Sequence, residues 1–147
     1  MARQLVFFVD DDRFFARPWI DRLRDRFDVL HFGDAEDARQ AIVNAPHASC
    51  IVLDAMMPVP ETASAKETAE GIATGLWMLE QIKEFVTATS IPVVMLTNRD
   101  PDGFAKQIKI MDFKKGLVRV EWKPDSSPDK LLALVRDLVA RWDSESA

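Results

Sequence analysis

The sequence predicts an α/β fold in which five βα units build one parallel sheet. Three observations predict it. Five short apolar runs of strand length recur, at Gln4–Val9, Asp28–Phe32, Cys50–Leu53, Ile91–Leu96 and Leu117–Trp122. The stretches that follow them mostly place apolar residues at helical spacing. Four of the five runs end abruptly in polar residues, at the strand ends where open α/β sheets bind ligands. Five such units favour a doubly wound, flavodoxin-like sheet of order 2-1-3-4-5, with right-handed crossovers and helices on both faces.

The first run, rich in Val and Phe, suits a strand covered on both faces, and it ends in Asp10, Asp11 and Asp12. From Arg13 to Phe27 the pattern is helical, with Phe15, Trp19, Leu23 and Phe27 on one stripe. Pro18 falls inside it, so a late start or a bend is expected there. After the second strand, Asp34 caps a helix running through Asn44 and closed by Ala45 and Pro46, and Asp37 adds negative charge to its first turn. The third run delivers Asp54, and Pro58 stops the sheet.

The connection that follows, about residues 55–74, is far longer than the two to six residues usual in βα loops. It is read as a lid or short extra helix, with a turn or two of helix in Glu61–Glu70, or as a mobile insertion. A third helix spans Gly75–Thr87, and the fourth strand delivers Thr97. A helix from about Asp102 to Asp112 follows, and Gly116 ends that connection. The fifth strand delivers Lys123 and then Pro124, and Pro128 opens a last helix striped with Leu131, Val135, Leu138 and Trp142.

At 147 residues, with 48% hydrophobic and 29% charged content, the chain fits one globular domain spanning residues 1–147. Its net charge of -5 argues against nucleic-acid binding. No apolar run approaches a membrane span and no signal peptide is present, so no membrane contact and a cytoplasmic location are expected. Cys50 reads as a small core residue. His31 and His47 lack a partner cluster and read as solvated or structural. Trp19, Trp77 and Trp142 read as core or interface, the Met56–Met57 pair, apart from the Met56 backbone, as loop packing, and Lys114 with Lys115 as a solvated helix end.

In the order 2-1-3-4-5, Asp10–Asp12, Asp54, Thr97 and Lys123 fall on neighbouring strand tips. Close carboxylates repel unless a cation intervenes. Hard oxygen donors suit Mg²⁺, and no His or Cys cluster suggests zinc. An ammonium and a hydroxyl facing the same point would stabilise a phosphoryl group in transfer, and a carboxylate can be its nucleophile. Asp54, on the middle strand, is the central candidate.

These motifs are the acids in "VFFVDDD", "LDAMMP", the Thr after "VVML" and the Lys-Pro after "VEW". In that order the chain resembles, over nearly its full length, the receiver domains of two-component response regulators. The resemblance implies that Asp54 accepts a phosphoryl group from a histidine kinase or histidine phosphotransfer protein. It implies that Asp10 and Asp11 hold Mg²⁺ with Asp54 and the backbone carbonyl of Met56, and that Lys123 pairs with the phosphoryl oxygens or the carboxylates. It implies that Thr97 moves to the phosphate and couples it to the face of helix four, strand five and helix five, through which a homodimer can form. The Lys123–Pro124 peptide is often cis in such domains. The resemblance implies a phosphoacceptor with self-catalysed transfer and autodephosphorylation, not a turnover enzyme.

The chain departs from the family pattern in three ways. Asn98 stands where a small residue is usual, and Val120 stands where the switch aromatic is usual. Trp122 is expected on the opposite strand face and so is not read as a substitute. The loop of residues 55–74 is the third departure. Alternative readings are a pseudo-receiver that binds partners without phosphorylation, and a Mg²⁺-dependent phosphohydrolase with an Asp nucleophile; Met56, where the latter wants a second acid, argues against it. No output segment is expected, since the chain ends about where the fifth helix does.

Overall fold

A computed structural model describes residues 3–44 and 48–146. The strands are β1 (Leu5–Val9), β2 (Asp28–Phe32), β3 (Ala48–Asp54), β4 (Val93–Thr97) and β5 (Val118–Trp122). The helices are α1 (Arg13–Leu23), α2 (Ala35–Asn44), α3 (Thr74–Thr89), α4 (Pro101–Ile110) and α5 (Pro128–Ser146). All five strands pair in parallel in the order β2-β1-β3-β4-β5, the order expected from the sequence. Element ends differ from the sequence reading by one or two residues at most places, as fraying ends do. Ala45, Pro46 and His47 lie outside the described residues.

The central strands explain why their sequences are so apolar. Val6, Phe7 and Val9 of β1, Cys50 to Leu53 of β3 and Val93 to Leu96 of β4 are all buried, because helices cover both sheet faces. Trp19, Trp77 and Trp142 join that core from α1, α3 and α5. Burial pushes the Cys50 thiol up to about 12, so it is an inert core group.

Three local expectations are corrected. Of the late start or bend expected at Pro18, the late start does not occur: helix α1 runs from Arg13 through Pro18. Pro18 shares the exposed face with Phe14 and Arg17, where a carbonyl left without its helical donor can be solvated. Phe27 is buried but not helical, since α1 ends at Leu23 and a hydrogen-bonded turn (Phe27 N to Leu23 O, 2.9 Å) carries it into the core. The Lys123–Pro124 peptide is trans. Lys123–Asp125 forms a 3₁₀ turn, and Pro124 sits in its first positions, where no N–H is required.

The long β3–α3 connection contains no helix; it is a chain of hydrogen-bonded turns tied to its surroundings. Ser64 and Glu67 cap each other reciprocally at 2.9 and 3.0 Å. Thr62 Oγ1 donates to Glu36 of α2 at 2.7 Å, and Thr68 is fully buried. Ala69, Glu70 and Gly71 then take positive φ in succession, which stops any helix from propagating. Gly71 is required there: at φ +96° a Cβ would lie 2.8 Å from the Met57 carbonyl oxygen.

Gly75 lets α3 close on the end of β3. A Cβ at Gly75 would sit 2.6 Å from the Asp54 carbonyl oxygen and 2.8 Å from Ala55 Cα, both backbone. Gly75→Ala is therefore expected to cost roughly 1–3 kcal/mol, whereas Gly33→Ala, whose Cβ would meet nothing nearer than 4.0 Å, should be close to neutral. Urea unfolding of the two variants checks the difference.

Candidate functional site

The first turn of α1 divides the labour among the three acids after β1. Asp12 is the N-cap, its carboxylate accepting from the Phe15 amide at 3.0 Å. Asp10 turns inward and is 1% exposed. Its Oδ1 accepts from the Asp12 amide at 2.8 Å, while its Oδ2 is buried without a hydrogen-bond donor among the described residues. Asp11 stays exposed at the rim. His31 anchors this tip from β2: its Nε2 donates to the Asp10 carbonyl at 2.7 Å, since a carbonyl can only accept. Its role is structural, within the solvated-or-structural reading.

Asp54 ends β3 beside Asp10 and is 7% exposed. Its Oδ1 accepts from Lys123 Nζ at 3.1 Å and from the Met56 amide at 3.4 Å. Lys123 reaches in from the far side of β4, with its side chain 8% exposed, and its Nζ is 4.0 Å from Asp10 Oδ2. Two buried carboxylates thus share one ammonium. Burial raises the pKa of Asp10 to about 7, helped by the charge of Asp54 and opposed by the Asp12 amide and Lys123. Burial also raises the pKa of Asp54, with Lys123 working against it.

One carboxylate oxygen each from Asp10, Asp11 and Asp54 lie within 4.8 Å of one another. The donor set fits a hard divalent cation: three carboxylates, no ring nitrogen or thiolate, and the partnerless buried oxygen of Asp10. The Met56 carbonyl fits as a further donor. The carbonyls on either side of it are engaged, Ala55 O by the Gly75 amide at 3.0 Å and Met57 O by Thr74 Oγ1 at 2.7 Å. No described group donates to that of Met56.

Thr97 is buried at the tip of β4, but its hydroxyl is not on Asp54. Oγ1 donates to the Arg99 carbonyl at 2.6 Å and accepts from the Arg99 amide at 3.0 Å, closing a local turn. Asn98 is exposed in that turn, and Val120 is half-buried opposite Met95. Trp122 corrects the sequence reading. Side-chain faces repeat every two residues along a strand, so Val120 and Trp122 share a face, while Arg119 and Glu121 pair across 3.8 Å on the other. The Trp122 ring donates from Nε1 to the Asn98 carbonyl at 3.3 Å.

Sequence reasoning did not single out Phe15 for the site. Its ring centroid is 4.2 Å from Lys123 Nζ. The signal was an aromatic residue in the first turn after the acids, and it was absorbed by the helical stripe.

The acids' raised pKa values give a stability slope. The native state holds protons that the unfolded chain has already lost, so without divalent cations stability should fall as pH rises from about 4 to about 7. Asp10→Asn removes the part of that slope that Asp10 carries. In EDTA at pH 7 it should raise Tm, by about 2–4 °C per kcal/mol of relieved desolvation and repulsion. Calorimetry from pH 4 to 8 checks both; a lowered Tm at pH 7 would refute the strain.

No family model matches the sequence, and no curated protein is significantly similar to it. Solved structures are similar in fold. A signal receiver domain from Vibrio parahaemolyticus is 21% identical with a TM-score of 0.74, covering 97% of this chain and 95% of that one. A CheY-like response regulator receiver domain protein from Methanospirillum hungatei is 16% identical with a TM-score of 0.76, covering 98% and 99%. The receiver domain of a Francisella response regulator is 22% identical with a TM-score of 0.68, covering 95% and 98%. The chain has the CheY-like, flavodoxin-like fold of response regulator receiver domains.

Proposed function

We propose that the chain is a response regulator receiver and acts as a phosphorylation switch with Asp54 as its phosphoacceptor. The observation that carries this reading is the Lys123–Asp54 pair at 3.1 Å in a nearly closed site, beside an acidic cluster whose innermost oxygen has no donor among the described residues. The donor is a phosphohistidine on a histidine kinase or histidine phosphotransfer protein. One Asp54 carboxylate oxygen attacks phosphorus, the P–N bond breaks, and its electron pair leaves on the imidazole, which takes up a proton. An acyl phosphate remains on Asp54. Attack by water on phosphorus later releases inorganic phosphate and restores the carboxylate.

Asp10, Asp11, Asp54 and the Met56 carbonyl would hold Mg²⁺, which when bound supplies positive charge against the phosphoryl oxygens. Lys123 follows the charge. It neutralises the Asp54 carboxylate before attack and faces the phosphoryl oxygens after it. Thr97 gives up its bond to the Arg99 carbonyl and donates to a phosphoryl oxygen. Because Trp122 holds the next carbonyl, that of Asn98, the turn cannot move without the aromatic edge of β5. Asn98, exposed at the mouth, modulates access.

Exposed apolar groups support output through protein contacts rather than through a chemical product. Phe14 is 94% exposed on α1, close to the site, and suits the phosphodonor's approach. Ile110 on α4 and Trp122 on β5 are also exposed and suit a partner or a homodimer through the α4–β5–α5 face. Among the described residues no helix is long and apolar enough to cross a membrane.

Intact mass after incubation with acetyl phosphate and Mg²⁺ tests the reading. One phosphoryl group is expected on the wild-type chain and none on Asp54→Asn or in EDTA. Lys123→Ala should slow its appearance by roughly 10²-fold. A folded wild-type chain that gains no phosphoryl group from acetyl phosphate or any histidine donor would sink it.

A further inference from the structure

The Lys123 ammonium carries three donors, yet among the described residues its one hydrogen bond is to Asp54. Asp10 Oδ2, at 4.0 Å, is an ion-pair neighbour and not a hydrogen-bond acceptor. The side chain is 8% exposed, so bulk water does little to compensate the charge. A further contact is the face of Phe15, with the centroid 4.2 Å from Nζ, well inside the range in which a ring quadrupole attracts a cation.

That ring is held from two sides. Its residue's amide is fixed by the Asp12 cap at 3.0 Å. Its plane packs against the buried Trp19 ring at 5.4 Å and a tilt of 33°. The acid loop, the first turn of α1 and the lysine of β5 therefore meet at one aromatic face.

We propose that Phe15 is a positioning residue for Lys123, its ring face holding the ammonium on Asp54 and away from Asp10. This rests on the phosphoacceptor reading above and adds a determinant of rate to it. Without the ring's negative face the ammonium has a second carboxylate within reach, and a closer Lys123–Asp10 pair would leave Asp54 unneutralised and occupy the acid cluster. An aliphatic residue of similar bulk fills the same space but exerts no such pull, which separates this role from packing.

The test replaces Phe15 with mono-, di- and trifluorinated phenylalanine, which keep the ring's shape while draining its face of negative charge. The rate of phosphoryl gain from acetyl phosphate with Mg²⁺ is read by mass, with Phe15→Leu and Phe15→Tyr alongside. The rate should fall stepwise with fluorine number, by roughly 3- to 10-fold at the third. Phe15→Leu should match the trifluorinated ring, and Phe15→Tyr should keep most of the rate. A flat series, or Phe15→Leu at the wild-type rate, overturns the proposal.

Thermal unfolding of the same series, with and without Lys123→Met, supplies the second arm. Tm should fall with fluorination only where Lys123 is present; an equal fall in both backgrounds means packing alone and also overturns it. A wild-type chain that takes no phosphoryl group would instead refute the phosphoacceptor reading, and the Tm arm would still decide whether the ring holds the ammonium.

Discussion

Everything at the carboxyl end of this sheet answers to one constraint: two buried carboxylates share a single ammonium. Asp10 and Asp54 are each less than a tenth exposed, and among the described residues Lys123 is the one cation paired with both. A charge left over in such a site is costly. The chain reduces that cost with directed donors: the Asp12 and Met56 amides on the carboxylates and the Phe15 ring on the ammonium. None of these supplies a further positive charge. Burial, with repulsion from neighbouring carboxylates behind it, raises both acids' pKa values against the pull of Lys123.

The sheet order turns this local problem into an architecture. Val9 pairs with Leu53 and Asp54 with Leu96, so the tips of β1, β3 and β4 stand side by side. Lys123 starts one strand further out and must cross the end of β4, which a long stem allows. Thr97 leaves the way clear by folding its hydroxyl back onto Arg99. The same economy holds the other side: Gly75 admits α3 to contact with the Asp54 carbonyl, and His31 ties the Asp10 carbonyl to β2. Small changes of backbone position at any of these tips would be felt at the carboxylates.

Strand positions, their order and the clustering of Asp10, Asp11, Asp54 and Lys123 were legible in the sequence because they follow from periodicity and from where apolar runs stop. What was not legible depended on partners remote in sequence. Pro18 is tolerated because that face of α1 meets solvent, which local spacing cannot say. The helix-favouring composition of Glu61–Glu70 lost to three successive left-handed residues imposed by the loop's closure onto Met57. Phe15 looked like another core position of an amphipathic helix, and only the return of β5 places an ammonium on its face. The placing of Trp122 failed for a simpler reason: counted from Val120, two residues along a strand restore the same face.

The long β3–α3 connection bears on the site through its anchoring and not its length. Both ends of the loop grip the segment that follows Asp54. The Met57 amide donates to Gly71 O, Met57 O accepts from Thr74, and Ala55 O accepts from the Gly75 amide. Alternate carbonyls of Ala55–Met57 are thereby drawn toward the loop and α3, and that of Met56 is left with no donor among the described residues. The loop also reaches α2 through Thr62 and Glu36. Extra chain in this position therefore works as a brace. It fixes the peptide that would complete a cation's oxygen shell.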